Sequence, residues 1–208
     1  GPIYPETVKL VHEFCDTVEN DGNVKAILLR VDSPGGGISS CDQIYHRLHA
    51  MLKNKNKKMV VSMGSVAASG GYYISAPADA IVAEPTTVTG SIGVISVFPV
   101  LAGTFEKLGM NMVVVRSSQS RAWKAAPNYL EEPAGYQIEE MQHTLDKMHR
   151  RFTDVINTHR SGRIKTERLR NRYTGADGEA FVVTETEPFN GKIYSADEAL
   201  DFGLIDEI

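Results

Sequence analysis

The chain has 208 residues, 42% of them hydrophobic and 23% charged, which is the profile of one soluble globular domain long enough to bury a core. A formal net charge of −4 gives no electrostatic reason to expect nucleic acid or an anionic membrane as partner. Two cysteines, Cys15 and Cys41, are too few for a disulfide framework or a zinc site.

The segment "GPIYPETV" begins abruptly, so an upstream strand or anchor is expected ahead of it; there is no secretory n-region and no apolar run of bilayer length. "PETVKLVHEFCDTVEND" spaces Val8, Val11, Phe14, Cys15 and Val18 as a helix does, with Pro5 suited to the first turn. "VKAILLRV" reads as a buried strand ended by "DSPGGG". A helix is predicted from about Ile38 to Leu52, followed by the solvated run "KNKNKK", the strand "MVVSM" and a helix opening near Ala67. "AIVAE" and "SIGVISV" predict short strands, "LAGTFEKL" a helix stopped by Gly109, and "MNMVVV" another strand. Ile138, Met141, Leu145, Met148, Phe152 and Val155 step by threes and fours along one amphipathic helix from Tyr136 to about His159. "SADEALDFGLIDEI" closes as a helix with a stop at Gly203. Alternating strands and helices predict an α/β fold with a largely parallel sheet, in a single domain over residues 1–208.

Two junctions between strand and loop carry chemistry. In "LLRVDSPGGG" the glycines permit backbone angles that aim successive N–H groups at one anionic atom. No Gly-Lys-Ser/Thr follows, so this is no P-loop, and the dinucleotide spacing fits poorly; a plain tight turn is the alternative. In "GSVAASGGYYISAPAD", Ser69 falls between a strand and a helix, where free N–H groups favour negative charge. Ala67 and Ala68 keep its approach open, and Gly70 lets the next amide come close to a ligand. This has the logic of a nucleophile elbow without the G-x-S-x-G pattern; a tightly packed small-residue helix is the bland alternative. Together the two junctions offer an oxygen nucleophile and a set of amides for an oxyanion.

Such a serine needs a base. His12, His46, His49, His143, His149 and His159 all fall in predicted helices among polar neighbours and read as surface residues. A neutral lysine is the other choice, and it requires desolvation to bring its pKa down from about 10.4. Lys53, Lys55, Lys57 and Lys58 read as solvated, whereas Lys124 in "RAWKAAP" is flanked by Trp123, Ala125 and Ala126. An ordinary loop lysine is the alternative for it.

"DSPGGG", "MGSVAASGGYYISAPADAIVAEPTTVTGSIGV" and "NGKIYSADEALDFGLID" closely resemble the signal peptide peptidase A family, serine peptidases of family S49 with a Ser/Lys dyad. The resemblance covers nearly the whole chain. It implies a crotonase/Clp-protease-like fold, ring- or dome-like homo-oligomers, and anchorage to a bacterial-type cell membrane through a segment outside this sequence, with the catalytic part on the extracytoplasmic side. It further implies hydrolysis of hydrophobic, extended peptides, remnant signal peptides above all, with no cofactor or metal and no nucleic acid. Carried onto this chain, the nucleophile is Ser69, Gly35 and Gly36 form the oxyanion loop, the Gly70 amide is a second donor, and Ser91 orients the catalytic lysine. Counted without gaps from Ser69, short members of the family place that lysine on Arg121, which does not deprotonate. Lys124, three residues on in "WKAAP", matches the family's aromatic-Lys-small pattern.

The expected reaction is acyl transfer, with a dry Lys124 taking the Ser69 proton and a burial site that oligomerisation or substrate helps to close. Three alternatives stand beside it. They are a related membrane-associated Ser/Lys peptidase cutting one partner protein, a crotonase-like acyl-CoA enzyme, and an inactive assembly module.

Overall fold

The computed structural model describes residues 1–176 and 178–208 and divides into two compact units. Unit 1 joins Gly1–Gly93 to Arg151–Ile208, and unit 2 is Val94–Arg150.

Unit 1 is an α/β sheet with flanking helices. Its elements in chain order are α1 (Pro5–Asn20), β1 (Ala26–Ser33), α2 (Ile38–Lys55), β2 (Lys58–Ala68), α3 (Gly70–Ser75), β3 (Ala80–Val82) and β4 (Val88–Gly90). Within unit 2 lie α4 (Ala102–Lys107) and a 3-10 turn, Ser118–Ser120, and α5 (Gly135–His159) runs from unit 2 into unit 1. Then come β5 (Glu167–Thr174), β6 (Ala180–Glu187), β7 (Ile193–Ser195) and α6 (Ala196–Asp201).

The main sheet is ordered β1-β2-β4-β7, with β3 also paired to β2. Strands β1, β3 and β4 all run parallel to β2, and β7 is antiparallel to β4. β2 is long enough to serve two neighbours in turn: Val60–Ser62 pair with β3, and Val66–Ala68 pair with β4. Ile44, Leu48, Met51, Met59, Val61, Met63, Tyr72 and Ile81 fill the core between α2, α3 and the sheet. Each large apolar side chain so buried contributes roughly 1.5–3 kcal/mol. At the far end, Arg160 is fully buried and paired with Asp206 at 2.7 Å, which ties the end of α5 to the C-terminal segment. Burial works to raise the Asp206 carboxyl, but hydrogen bonds from Arg160 and the Ile81 N–H, with the charges of Arg160 and Arg163, hold it below its ordinary value.

Several elements depart from the sequence reading. β1 is an edge strand rather than a buried one: Ile27 and Val31 face the core while Leu28 is 73% exposed. "SIGVISV" forms no strand, because Gly90 and Ser91 both take positive φ, 81° and 50°, and end the ladder. "MNMVVV" has no ladder partner among the described residues, and Val113 and Val115 are open to solvent within the chain. The apolar stripe of α5 is buried only toward its end, at Phe152, Val155 and Ile156, while Ile138 and Met148 are exposed. The antiparallel hairpin of β5 and β6 lies where the sequence reading predicts no element; its signal is an arginine at every second position of "ERLRNRYT" before the Gly-rich "GADG". Among the described residues no helix is long and apolar enough to cross a membrane.

Candidate functional site

The small-residue stretch begins as strand. β2 continues through Ala68, and Ser69 is the one-residue joint before α3, at φ 52° and ψ −119°. This is a conformation that suits glycine, and holding a serine there costs of order 1–3 kcal/mol. The neighbours impose it. The Ser69 N–H donates to the Gly90 carbonyl at 2.9 Å, and its carbonyl accepts the Tyr73 N–H at 2.9 Å. The Ser69 side chain is half-buried and makes no capping bond to α3. A helix turn after a strained joint at the end of a strand is the geometry of a nucleophile elbow.

The two glycines that follow are there because other chain presses on them. A Cβ on Gly71 would lie 2.7 Å from the Ser33 carbonyl, and one on Gly70 would lie 2.3 Å from Cys41 Sγ and 3.3 Å from the Gly36 nitrogen. The glycine loop after β1 therefore packs directly against the elbow. A register shift between Val31 and Ser33 turns the chain out of the β1 ladder there. Gly35, at φ +101°, approaches so closely that a Cβ on it would stand 2.7 Å from the Gly70 nitrogen and 2.9 Å from Ser69 Cβ.

The loop amides divide their tasks. Gly35 donates its N–H to Ser33 Oγ at 3.1 Å, and Gly37 donates to the Ile3 carbonyl at 3.0 Å. Ile3, buried, in turn donates to the Gly35 carbonyl at 2.8 Å. This pairing of Ile3 with the loop leaves the Gly36 N–H out of it, and the Gly70 N–H belongs to the unpaired first turn of α3. Gly35 thus offers close approach, while Gly36 and Gly70 offer donors with no partner among the described residues. Ile3 was not singled out from sequence; its only signal is an apolar residue two positions before a helix-starting proline.

Ser91 stands beside Ser69. Ala68 and Gly90 are partners across β2 and β4, so the two serines are the next residues on adjacent parallel strands, both with positive φ. Buried Thr89 and Thr87 lock this pairing by donating to the Ala67 and Gly64 carbonyls at 2.6 and 2.7 Å. The Ser91 N–H donates to the Lys192 carbonyl at 2.8 Å. The Lys192 ammonium is engaged elsewhere, 3.4 Å from Glu187 and 3.8 Å from Glu198 and over the Tyr194 ring.

Lys124 belongs to unit 2, in a turn where its N–H donates to the Ser120 carbonyl and its carbonyl accepts Arg116 Nε at 2.6 Å. Its side chain is exposed within the chain, as is that of Arg121. Trp123, its neighbour, packs edge-on against Tyr136 at 5.2 Å. The burial expected of this lysine is therefore not supplied by its own turn.

Two readings of titratable residues need correcting. Lys57 is buried rather than solvated, because its ammonium donates to the Asp21 and Val24 carbonyls at 3.0 and 2.6 Å. It precedes β2, at the opposite end of that strand from Ser69. His49 and His159 are half-buried rather than surface residues, with rings 4.9 Å apart and Tyr45 Oη 2.9 Å from His159 Nε2. Burial lowers the pKa of both, aided by Lys53 and His46 for His49 and by His49 for His159. Cys41, beneath Gly70, is pushed up by burial to about 11 and is an inert thiol that fills space. Among the described residues no group of three or more His, Cys, Asp or Glu is placed to hold a metal.

Comparison with known proteins places this geometry in a family. The chain is 33% identical over 188 residues to Protease 4 of Haemophilus influenzae, across 88% of this chain and 29% of that protein. It is 32% identical over 191 residues to an Enterococcus faecium protein that carries the name signal peptide peptidase SppA, across 92% of this chain and 49% of that one. It is 42% identical over 95 residues to the chloroplastic serine protease SPPA of Arabidopsis thaliana, across 46% of this chain and 14% of that protein. The chain thus spans less than half the length of each of these relatives. Residues 51–208 match the model of peptidase family S49, which takes in Ser69, Gly70, Ser91 and Lys124, and the chain belongs to that family.

Proposed function

We propose that the chain is a serine endopeptidase of crotonase/Clp-protease-like fold in which Ser69 is the nucleophile and Lys124 the general base. The observation that carries this reading is the strained elbow at Ser69 with the Gly35–Gly36 loop pressed against it and two amide donors uncommitted.

In this reading neutral Lys124 accepts the Ser69 proton as Oγ attacks a peptide carbonyl, forming the C–O bond. The tetrahedral oxyanion takes hydrogen bonds from the Gly36 and Gly70 N–H groups. Lys124 then returns the proton to the leaving amine as the C–N bond breaks, and water repeats the sequence on the acyl-enzyme. Ser91, beside Ser69 at the end of β4, orients the lysine ammonium between steps. Lys124 is exposed within its own turn, so its desolvation comes from substrate or from a neighbouring copy in a ring-like homo-oligomer.

Family membership supports an extended, hydrophobic peptide as substrate, with remnant signal peptides the leading class, and supports membrane association outside the cytoplasm through a further segment. A competing thioester activity needs no serine nucleophile. The test is hydrolysis of a panel of fluorogenic apolar peptides and of an acyl-CoA thioester, by the wild type and by Ser69→Ala. Peptide cleavage that vanishes in Ser69→Ala is expected. Thioester turnover that survives the substitution, with no peptide cleavage, would overturn the assignment.

A further inference from the structure

The β5–β6 ribbon sorts its charges by face. Arg168, Arg170 and Arg172 alternate along β5 and share one face with their cross-strand partners Thr186, Thr184 and Val182. All six residues are exposed. That face carries no carboxylate, and none of the three arginines makes an ion pair among the described residues. The acids occupy the other face, and two of them are engaged there: Glu185 accepts from Tyr173 Oη at 2.9 Å, and Glu187 is paired with Lys192 at 3.4 Å. On a chain of net charge −4 this is a concentrated cationic line without its counter-charge.

The strand that bears it is also open at its edge. β5 pairs only with β6 in this two-stranded sheet, so its outward N–H and C=O groups have no strand partner among the described residues. Alternate residues of a strand stand about 6.8 Å apart on one face. An added strand repeats at the same pitch, which sets every second side chain opposite an arginine at cross-strand distance. A second copy of β5 in register would oppose arginine to arginine, which is repulsive.

We propose that the open edge of β5 is a docking site for an extended acidic peptide with carboxylates at alternate positions. The peptide backbone extends the ribbon as a third strand, and its carboxylates pair with Arg168, Arg170 and Arg172 through planar guanidinium contacts. The proposed site lies on a different sheet from the strand that carries Ser69, shares no residue with the candidate catalytic groups and does not depend on the peptidase reading.

The test uses a fluorescein-labelled peptide of alternating threonine and glutamate, followed by fluorescence anisotropy in a Ser69→Ala background so that hydrolysis does not intervene. Comparators are a peptide of the same composition with its glutamates contiguous, a peptide alternating threonine with lysine, and phosphatidylserine vesicles. The alternating acidic peptide should bind more tightly than the contiguous one. Arg168→Gln, Arg170→Gln and Arg172→Gln together should weaken it about tenfold or more. Glutamate at all three positions should transfer binding to the lysine peptide, and that gain of function shows the variant to be folded. Equal binding of the alternating and contiguous peptides, no effect of the triple substitution, or retention on vesicles in place of peptide binding would each overturn the proposal.

Discussion

Units 1 and 2 treat apolar sequence in opposite ways. In unit 1 the strand residues Met59, Val61 and Met63 are fully buried, and the elbow above them is fixed by backbone bonds to Gly90 and Tyr73. In unit 2 the equally apolar "MNMVVV" stays out of any ladder, with Val113 and Val115 more than four-fifths exposed. The site residues follow their surroundings. Ser69, Gly36 and Gly70 are held by a sheet, a bulged loop and close backbone packing, whereas Lys124 sits on an exposed turn. Ser69, Gly36 and Gly70 are thus preorganised by the chain itself, and in the proposed mechanism, where they serve as nucleophile and oxyanion donors, the setting of the base is completed by something added.

The largest effects should fall on the two reacting groups, and they sharpen this contrast. Ser69→Ala and Lys124→Ala should each lower kcat/KM for peptide hydrolysis by about ten-thousandfold, because members of a dyad act as a unit. Lys124→Arg should not restore activity, since arginine does not give up its proton, and Arg121→Ala should leave the rate within about threefold of wild type. Next comes the anchor of unit 1. Arg160→Ala removes the buried partner of Asp206, which keeps Arg163 and the Ile81 N–H, and should cost about 1.5–3 kcal/mol in denaturant unfolding. The close packing under the elbow is tested by Gly70→Ala, whose methyl would meet Cys41 Sγ. A displaced oxyanion donor costs about a hundred- to a thousandfold in kcat, and Cys41→Gly in the same chain should recover part of that loss.

The smallest predicted effect concerns pH. The pKa values of His49 and His159 are lowered in the fold, chiefly by burial. The unfolded chain therefore binds more protons near and below about pH 6.5, and stability rises with pH through that window. The pair contributes fully above about pH 6.5, and its contribution is lost as pH falls through that value toward the lower folded values. The melting temperature should drop between neutral and mildly acid pH, and the drop should shrink in the double variant His49→Gln, His159→Gln. An unchanged drop would remove this pair from the account.

Much of unit 1 was legible in the sequence. Period and punctuation located α1, α2 and α6, and the run of small residues around Ser69 set that residue between a strand and a helix, where the structure has it. The strain at Ser69 was not legible, because it is imposed by Gly90 across the sheet and by Gly35 from another loop. Nor was the division of labour among the glycines, which depends on Ile3 pairing with the loop from more than thirty residues upstream. Between Ser91 and Val115 the local pattern was misleading. "SIGVISV" and "MNMVVV" have strand composition, but a strand exists only where another strand accepts its hydrogen bonds. Lys57 shows the same limit for charge: the polar run "KNKNKK" gave no sign that two carbonyls of the α1–β1 connection would bury one of its ammonium groups.

The most direct measurement is covalent labelling with a fluorophosphonate probe at mildly alkaline pH, with the adduct mapped by mass spectrometry in the wild type, Ser69→Ala and Lys124→Ala. A single adduct on Ser69, absent from both variants, is expected. An adduct elsewhere, or labelling of Ser69 that persists undiminished in Lys124→Ala, would contradict the proposed dyad.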